Sequence, residues 1–119
     1  MGEFNVESIS GIRNDVRILR LSGPFTVRGI FDFRSSVLIG SDPITIIDLT
    51  GVPYMDSTAL GEIIKLHTSS LRQQRQYALV GASERLRTLF KVAGVHQILI
   101  MHPTLEEAEQ KLSSNAARN

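Results

Sequence analysis

A group of polar residues follows a short apolar run near the middle of the chain. The run, Ile44 to Leu49, is rich in β-branched residues and predicts a strand that is buried on both faces. The loop after it ends in Asp56-Ser57-Thr58, which predicts the start of a helix. In open α/β sheets, binding and catalytic sites collect at the carboxyl ends of the strands. The group therefore fits either a functional site that uses its carboxylate and hydroxyls, or a helix start that Asp56 or Ser57 only caps.

Residue patterns that indicate an enzyme are absent from the sequence. It contains neither of the common glycine-rich phosphate-binding loops, no G-x-S-x-G turn and no Cys. The His residues lack the spacing of a helical metal pair; His67 is predicted to lie in the core, and His96 and His102 in loops. We therefore predict no catalytic residue, no metal site and no cofactor.

The composition is that of an ordinary globular domain. The chain has 119 residues, of which 42% are hydrophobic and 21% are charged, and its net charge is +1. This predicts a single domain over residues 1–119, with a fraying tail over 113–119. A charge so close to zero gives no reason to expect nucleic-acid binding, and no run is apolar enough for membrane insertion. The absence of Cys and of a secretory signal favours a cytoplasmic location.

Apolar periodicity predicts the elements that position the polar group. Strands over 4–7 and 16–21 form a hairpin, and the helix that begins at Asp56-Ser57 buries one stripe, made of Leu60, Ile63, Ile64, His67 and Leu71. The other predicted elements are a helix over 27–40, strands over 44–49, 77–80 and 98–101, a helix from Ser83 to Gly94, and a last helix with a Thr104-Glu107 capping box. The order β-β-α-β-α-β-α-β-α predicts an α/β fold, a mixed sheet with helices packed against it.

The residues around Ser57 resemble the signature of the STAS family, the sulfate transporter and anti-sigma antagonist domain, which includes the bacterial anti-anti-sigma factors. The family pattern is an aromatic residue, an apolar residue and D-S-[ST]-G-L-G; here it reads Tyr54-Met55-Asp56-Ser57-Thr58-Ala59-Leu60-Gly61. The resemblance extends over nearly the whole chain, through Leu21-Ser22-Gly23 and the helix Ser83-x-x-Leu86-x-x-Leu89-Phe90-x-x-x-Gly94. It implies the STAS-like arrangement of the predicted elements.

The resemblance also implies a function, that of an anti-sigma factor antagonist and not of an enzyme. In the family, the first Ser after the Asp accepts a phosphate from a partner kinase, and the matching residue is Ser57. The implied partners are an anti-sigma factor that is also a serine protein kinase, bound before phosphorylation and released after it, and a phosphatase that resets the cycle. The residues predicted to contact the partner are Asp56, Ser57, Thr58, Tyr54, Phe25 and Thr26.

Two residues depart from the family pattern. Thr26 stands where the family has an Asp, so the loop after the second strand lacks that carboxylate. Ala59 replaces a Gly and adds a methyl group in the first helical turn, where we expect a kinase to approach. Two other functions stay open at this point: a STAS module of another assembly, such as a stress-signalling complex or the cytoplasmic subunit of a lipid-transporting ABC system, and an enzyme or nucleotide-binding protein.

Overall fold

The computed structural model of the protein describes residues 3–11, 15–39 and 43–117, without the side chains of Ile39 and of residues 113–117. The elements are β1 (Asn5–Ser10), β2 (Val16–Ser22), a 3-10 turn (Val27–Gly29), α1 (Ile30–Ile39), β3 (Ile44–Gly51), α2 (Ser57–Arg72), β4 (Gln76–Val80), α3 (Glu84–Val92), β5 (Met101–His102) and α4 (Leu105–Ala117). Their order confirms the predicted one. The last helix includes residues 113–117 of the predicted tail, while residue 40 of the predicted first helix and residues 118–119 lie outside the described residues.

The five strands form one mixed sheet in chain order. β1 pairs with β2 in the antiparallel direction, and each later strand pairs in parallel with the strand before it. The predicted hairpin and the predicted mixed sheet are therefore both confirmed. Because β2, β3 and β4 run in parallel, the loops that follow them meet at one edge of the sheet, where the polar group around Ser57 lies.

Helices cover both faces of this sheet and divide the core into two clusters. The larger cluster packs α1, α2 and α3 against one face, and the smaller packs α4 against the other. Ile47 and Leu49 of β3 belong to the larger cluster, whereas Ile44 and Ile46 belong to the smaller one. The burial of β3 on both faces is thus confirmed, and the loop toward Ser57 starts from a strand that packing holds on two sides.

The predicted helix starts are capped by the predicted side chains. Ser83 accepts a hydrogen bond from the N–H of Leu86 at 3.2 Å, and Thr104 accepts one from the N–H of Glu107 at 3.2 Å. The carboxylate of Glu107 lies 3.7 Å from Nδ1 of His102, so the Glu107 side chain lies beside β5. Each cap satisfies an N–H group that the helix itself leaves unpaired.

The strand predicted over 98–101 is wrong in position, because β5 has only two residues and begins at the end of that range. Ile98 donates its N–H to the carbonyl of Val95 at 3.1 Å, which makes a turn. The N–H of Ile100 donates to the hydroxyl of Tyr77 at 3.0 Å. A side chain therefore takes the hydrogen bond that a neighbouring strand would otherwise accept, and no local pattern in the sequence signals this.

The predicted apolar stripe of α2 is wrong at its carboxyl end. Leu71 is 66% exposed, while Leu66 and the charged Glu62 are buried. His67 is only half-buried, and its Nδ1 lies 2.7 Å from the hydroxyl of Tyr77. The stripe follows the line of contact with the sheet, and an ion pair described below allows Glu62 to lie on it.

Candidate functional site

The carboxylate of Asp56 joins two segments of backbone at the carboxyl end of the sheet. One oxygen, Oδ1, accepts a hydrogen bond from the N–H of Ala59 at 2.9 Å and caps α2. The other, Oδ2, accepts one from the N–H of Val27 at 3.0 Å, in the 3-10 turn after β2. Both oxygens are therefore engaged by backbone groups, and Asp56 acts on the site by positioning the helix start against the turn. A Ser or Thr cap has a single oxygen and lacks the second acceptor.

A backbone bridge between Phe25 and Met55 fixes the same two segments. The N–H of Phe25 donates to the carbonyl of Tyr54 at 3.0 Å, and the N–H of Asp56 donates to the carbonyl of Phe25 at 3.1 Å. The ring of Phe25 is 0% exposed and stacks on Phe4, with 4.7 Å between ring centroids. The prediction that this side chain contacts a partner is therefore wrong, because the hydrophobic effect draws it into the core beneath the site.

Ser57 and Thr58 are the first two residues of α2, and both are exposed. Their backbone N–H groups have no hydrogen-bond partner within the described part of the chain. Two such N–H groups, together with the positive end of the helix dipole, favour an anion at this point. The site therefore combines an accessible hydroxyl with a local field that tolerates added negative charge.

Exposed apolar groups lie on the segments that flank Ser57. Tyr54 is 40% exposed and Val27 is 61% exposed, whereas Met55, between Tyr54 and the helix, is buried. Arg85 of α3 lies over the Tyr54 ring, with its guanidinium carbon 5.3 Å from the ring centroid. Arg85 was not among the predicted site residues, because only the tertiary packing of α3 brings it to this loop. The surface suits a partner that presents both apolar and polar groups.

The two departures from the family pattern have clear structural consequences. Thr26 is half-buried and caps the 3-10 turn, accepting from the N–H of Arg28 at 3.4 Å. Ala59 is fully buried, since the third position of α2 faces the sheet. The expectation that its methyl group lies where a kinase approaches is therefore wrong; the methyl group packs in the core.

A second carboxylate, that of the buried Asp48, fixes the point at which β3 gives way to the loop. Its Oδ1 accepts from the N–H of Thr50 at 3.0 Å and from the Thr50 hydroxyl at 2.6 Å, and its Oδ2 lies 3.4 Å from Nε of Arg20. Gly81 lies against this pair with φ +72°, and a Cβ there would lie 3.2 Å from Oδ1 of Asp48. An Asp inside a β-branched run was the available sequence signal for this network, which was not predicted.

The His residues and the helices bear on metal binding and on membrane insertion. His96 lies in a turn, whereas His102 lies in β5 rather than in the predicted loop. Within the described ranges, no three His, Asp or Glu side chains are arranged to hold a metal ion. In the same ranges, none of the helices has both the length and the apolar composition needed to cross a bilayer.

Comparison with known proteins places the sequence among relatives. The sequence model of the STAS domain family matches residues 4–108 of this chain. An anti-sigma-B factor antagonist of Listeria monocytogenes is 37% identical over 71 residues, which are 60% of this chain and 59% of that protein. The match therefore spans about three fifths of the relative's length.

Solved structures share the fold at low sequence identity. A protein of Thermotoga maritima superposes with a TM-score of 0.78 at 22% identity, covering 91% of this chain and 92% of that one. The anti-sigma factor antagonist SpoIIAA in its unphosphorylated form gives a TM-score of 0.74 at 18% identity, covering 94% and 97%. SpoIIAA in its phosphorylated form gives 0.67 at 18% identity, covering 92% and 99%.

Proposed function

This chain belongs to the STAS domain family, and from that premise we propose that it is an anti-sigma factor antagonist controlled at Ser57. The unphosphorylated protein binds an anti-sigma factor that is also a serine kinase, and phosphorylation of Ser57 releases it. A phosphatase returns the protein to its binding form. In this cytoplasmic cycle the chain is a substrate and a binding partner, and the kinase and phosphatase supply the catalysis. The observation that carries the proposal is the exposed hydroxyl of Ser57 in the first turn of a firmly capped helix.

The fold is expected to survive the modification. A phosphate on Ser57 lies in solvent, and it can accept hydrogen bonds from the unpaired N–H groups of Ser57 and Thr58. The helix dipole adds roughly 0.3–1 kcal/mol of stabilisation at such a position. The carboxylate of Asp56 and the bridge at Phe25 hold the segment in place. Both act through hydrogen bonds to backbone groups, and the phosphate replaces none of these bonds.

The partner, in contrast, meets a changed surface. Phosphorylation adds a charge of about −1.5 to −2 at neutral pH. A partner that covers Ser57 strips water from this charge, and burying a charge without a matched cation costs on the order of 3–5 kcal/mol. At about 1.4 kcal/mol per tenfold change, the affinity falls by roughly one hundredfold to a few thousandfold. Release therefore requires no conformational change in this protein.

The relatives support this cycle without sharing high identity with the chain. The Listeria protein that matches over 71 residues is named for antagonism of an anti-sigma factor. SpoIIAA has been solved in unphosphorylated and phosphorylated forms, and both share the fold of this chain at TM-scores of 0.74 and 0.67. A fold common to the two forms agrees with a switch that acts through surface charge.

A phosphorylation assay tests the proposal. The purified protein is incubated with ATP and each serine-kinase anti-sigma factor encoded by its source organism, and the product is analysed by intact-mass and peptide mass spectrometry. We expect a single phosphate on the wild type and on Thr58→Ala, and none on Ser57→Ala. Thr58→Ala is a matched control because Thr58 is the adjacent exposed hydroxyl on the same helical turn.

Two results would contradict the proposal. Phosphate on Thr58 in place of Ser57 would contradict the assignment of the switch to Ser57. An absence of phosphorylation by every kinase, with stable recovery of the protein in a transporter or a large signalling complex, would favour a STAS module of another assembly. Circular dichroism of Ser57→Ala excludes misfolding as the reason for a negative result.

A further inference from the structure

A cavity of about 460 Å³ lies between α1 and α2, away from the start of α2. Its size falls in the range of small-molecule sites, roughly 300–1,000 Å³. Side chains from the two helices line it, together with Thr45 of β3 and Gln76 of β4. It is therefore a cleft between packed elements, and its lining includes none of the residues assigned to the Ser57 site.

The walls carry more positive than negative charge. Glu62 is the carboxylate of the lining; its side chain is 7% exposed and accepts a hydrogen bond from Arg34 at 2.7 Å. Lys65 approaches the same carboxylate oxygen at 3.6 Å, so two cations share one anion. The hydrogen bond from Arg34 lowers the pKa of Glu62, which keeps it ionised at neutral pH. Arg75 also lines the cavity and has no ion-pair partner among the described residues.

Apolar side chains from both helices also line the cleft. Phe33, Val37 and Leu66 contribute buried or half-buried hydrocarbon, and Leu38 is exposed at the rim. A cation without an ion-pair partner among the described residues and an apolar lining together describe one kind of ligand. A purely polar ion would leave the apolar lining in water, and a purely apolar molecule would leave Arg75 unpaired.

We propose that the cleft between α1 and α2 binds a small amphipathic oxyanion, a carboxylate or phosphate ester that carries a short hydrocarbon chain. The oxyanion pairs with Arg75, and the hydrocarbon covers Val37 and Leu38. The proposal is independent of the function assigned to Ser57, since no lining residue of the cleft belongs to that site.

Titration of the full chain with defined amphiphiles, followed by ¹H–¹⁵N NMR and calorimetry, tests the proposal. The probes are octanoate, 3-hydroxyoctanoate and octyl phosphate, each below its micelle concentration; octyl glucoside is the uncharged control and inorganic phosphate the control without hydrocarbon. We expect the charged amphiphiles to shift the amide signals of the cleft residues and to bind at least tenfold more tightly than either control. The added hydroxyl of 3-hydroxyoctanoate has no partner in the proposed site, so this probe should bind no more tightly than octanoate, and the phosphate and carboxylate arms identify the preferred headgroup.

Variants locate the binding on the cleft. Arg75→Gln should weaken binding by about tenfold or more, whereas Arg72→Gln, on the exposed end of α2 outside the cleft, should leave it unchanged. Leu38→Glu alters an exposed side chain, so it should keep the fold and still abolish binding. Ser57→Ala should bind as the wild type does, which separates this proposal from the phosphorylation switch.

Three outcomes would overturn the proposal: no shifts at the cleft with any charged amphiphile at 10 mM, equal binding of octyl glucoside, or equal loss in Arg75→Gln and Arg72→Gln. Signal broadening over the outer surfaces of α1 and α2 that depends on protein concentration would instead assign the cleft to contact with a second chain.

Discussion

Replacing Asp56 with Ala and with Asn separates the two hydrogen bonds that its carboxylate makes. Asn keeps one side-chain oxygen and caps helices about as well as Asp, so Asp56→Asn should retain the bond to Ala59. Its amide nitrogen is a donor, however, and cannot accept the N–H of Val27. Asp56→Ala loses both bonds. The two variants therefore differ by the cap alone, and Asp56→Asn differs from the wild type by the link to the 3-10 turn.

The magnitudes follow from the surroundings of each bond. Val27 is exposed, so water replaces its lost partner, and Asp56→Asn should lower the free energy of unfolding by about 0.5–1.5 kcal/mol. The loss of the cap in Asp56→Ala should lower it by a further ~0.5–2 kcal/mol. Asp32→Asn, an acidic side chain in the first turn of α1, is the matched control for loss of charge and should stay within about 0.5 kcal/mol of the wild type.

Urea unfolding with an unchanged m-value gives the free energies, and amide hydrogen exchange shows which bond is lost. The amide of Val27 should exchange faster in both variants, and the amide of Ala59 only in Asp56→Ala. If Asp56→Asn were as unstable as Asp56→Ala and exchanged equally fast at Ala59, the assignment of one carboxylate oxygen to each segment would be refuted.

Three further substitutions test the groups that support the site and the cleft. Phe4→Ala removes the ring stacked on Phe25. Because Phe4 is half-buried, this should lower the free energy of unfolding by about 2 kcal/mol. Phe4→Leu should recover part of that loss, as measured by urea unfolding. Tyr77→Phe removes the acceptor for the N–H of Ile100 and should cost about 1 kcal/mol. Because burial raises the pKa of Tyr77, the wild type should also lose stability as pH rises above the ordinary tyrosine value of 10.0, and the variant should not, as measured by thermal unfolding against pH. The lowered pKa of Glu62 means that the wild type loses stability as pH falls below the ordinary carboxyl value of 4.5; Glu62→Gln should be less stable at neutral pH and should depend less on pH in acid.

Each of these three measurements has an outcome that would contradict the expected one. Equal instability of Phe4→Leu and Phe4→Ala would show that ring contact contributes nothing specific. Identical alkaline profiles for Tyr77→Phe and the wild type, or identical acid profiles for Glu62→Gln and the wild type, would show that neither group titrates differently on unfolding.

The path from β3 to α2 could be predicted from the sequence because its determinants are local. A β-branched run, a loop with Pro53, and a capping Asp56 lie within twenty residues, and each acts through its own backbone. The exposure of Ser57 follows from its place just after the cap. These features defined the candidate site before any tertiary contact was known.

The contacts that support the site are distant in sequence, and they could not be predicted in the same way. Phe25 is buried because Phe4 stacks on it from the start of β1, and Arg85 reaches Tyr54 only through the packing of α3. Apolar residues in loops fit equally well in a core or at an interface, and only the fold decides between them. The partner role predicted for Phe25 failed for this reason.

The affinity of one serine-kinase anti-sigma factor for the unmodified protein and for the protein phosphorylated on Ser57, measured by calorimetry, tests the central claim most directly. We expect a weakening of about one hundredfold or more, with NMR shifts confined to the first turn of α2 and its neighbours. Equal affinities for the two forms, or loss of the dispersed spectrum on phosphorylation, would contradict a switch that acts by surface charge on an intact fold.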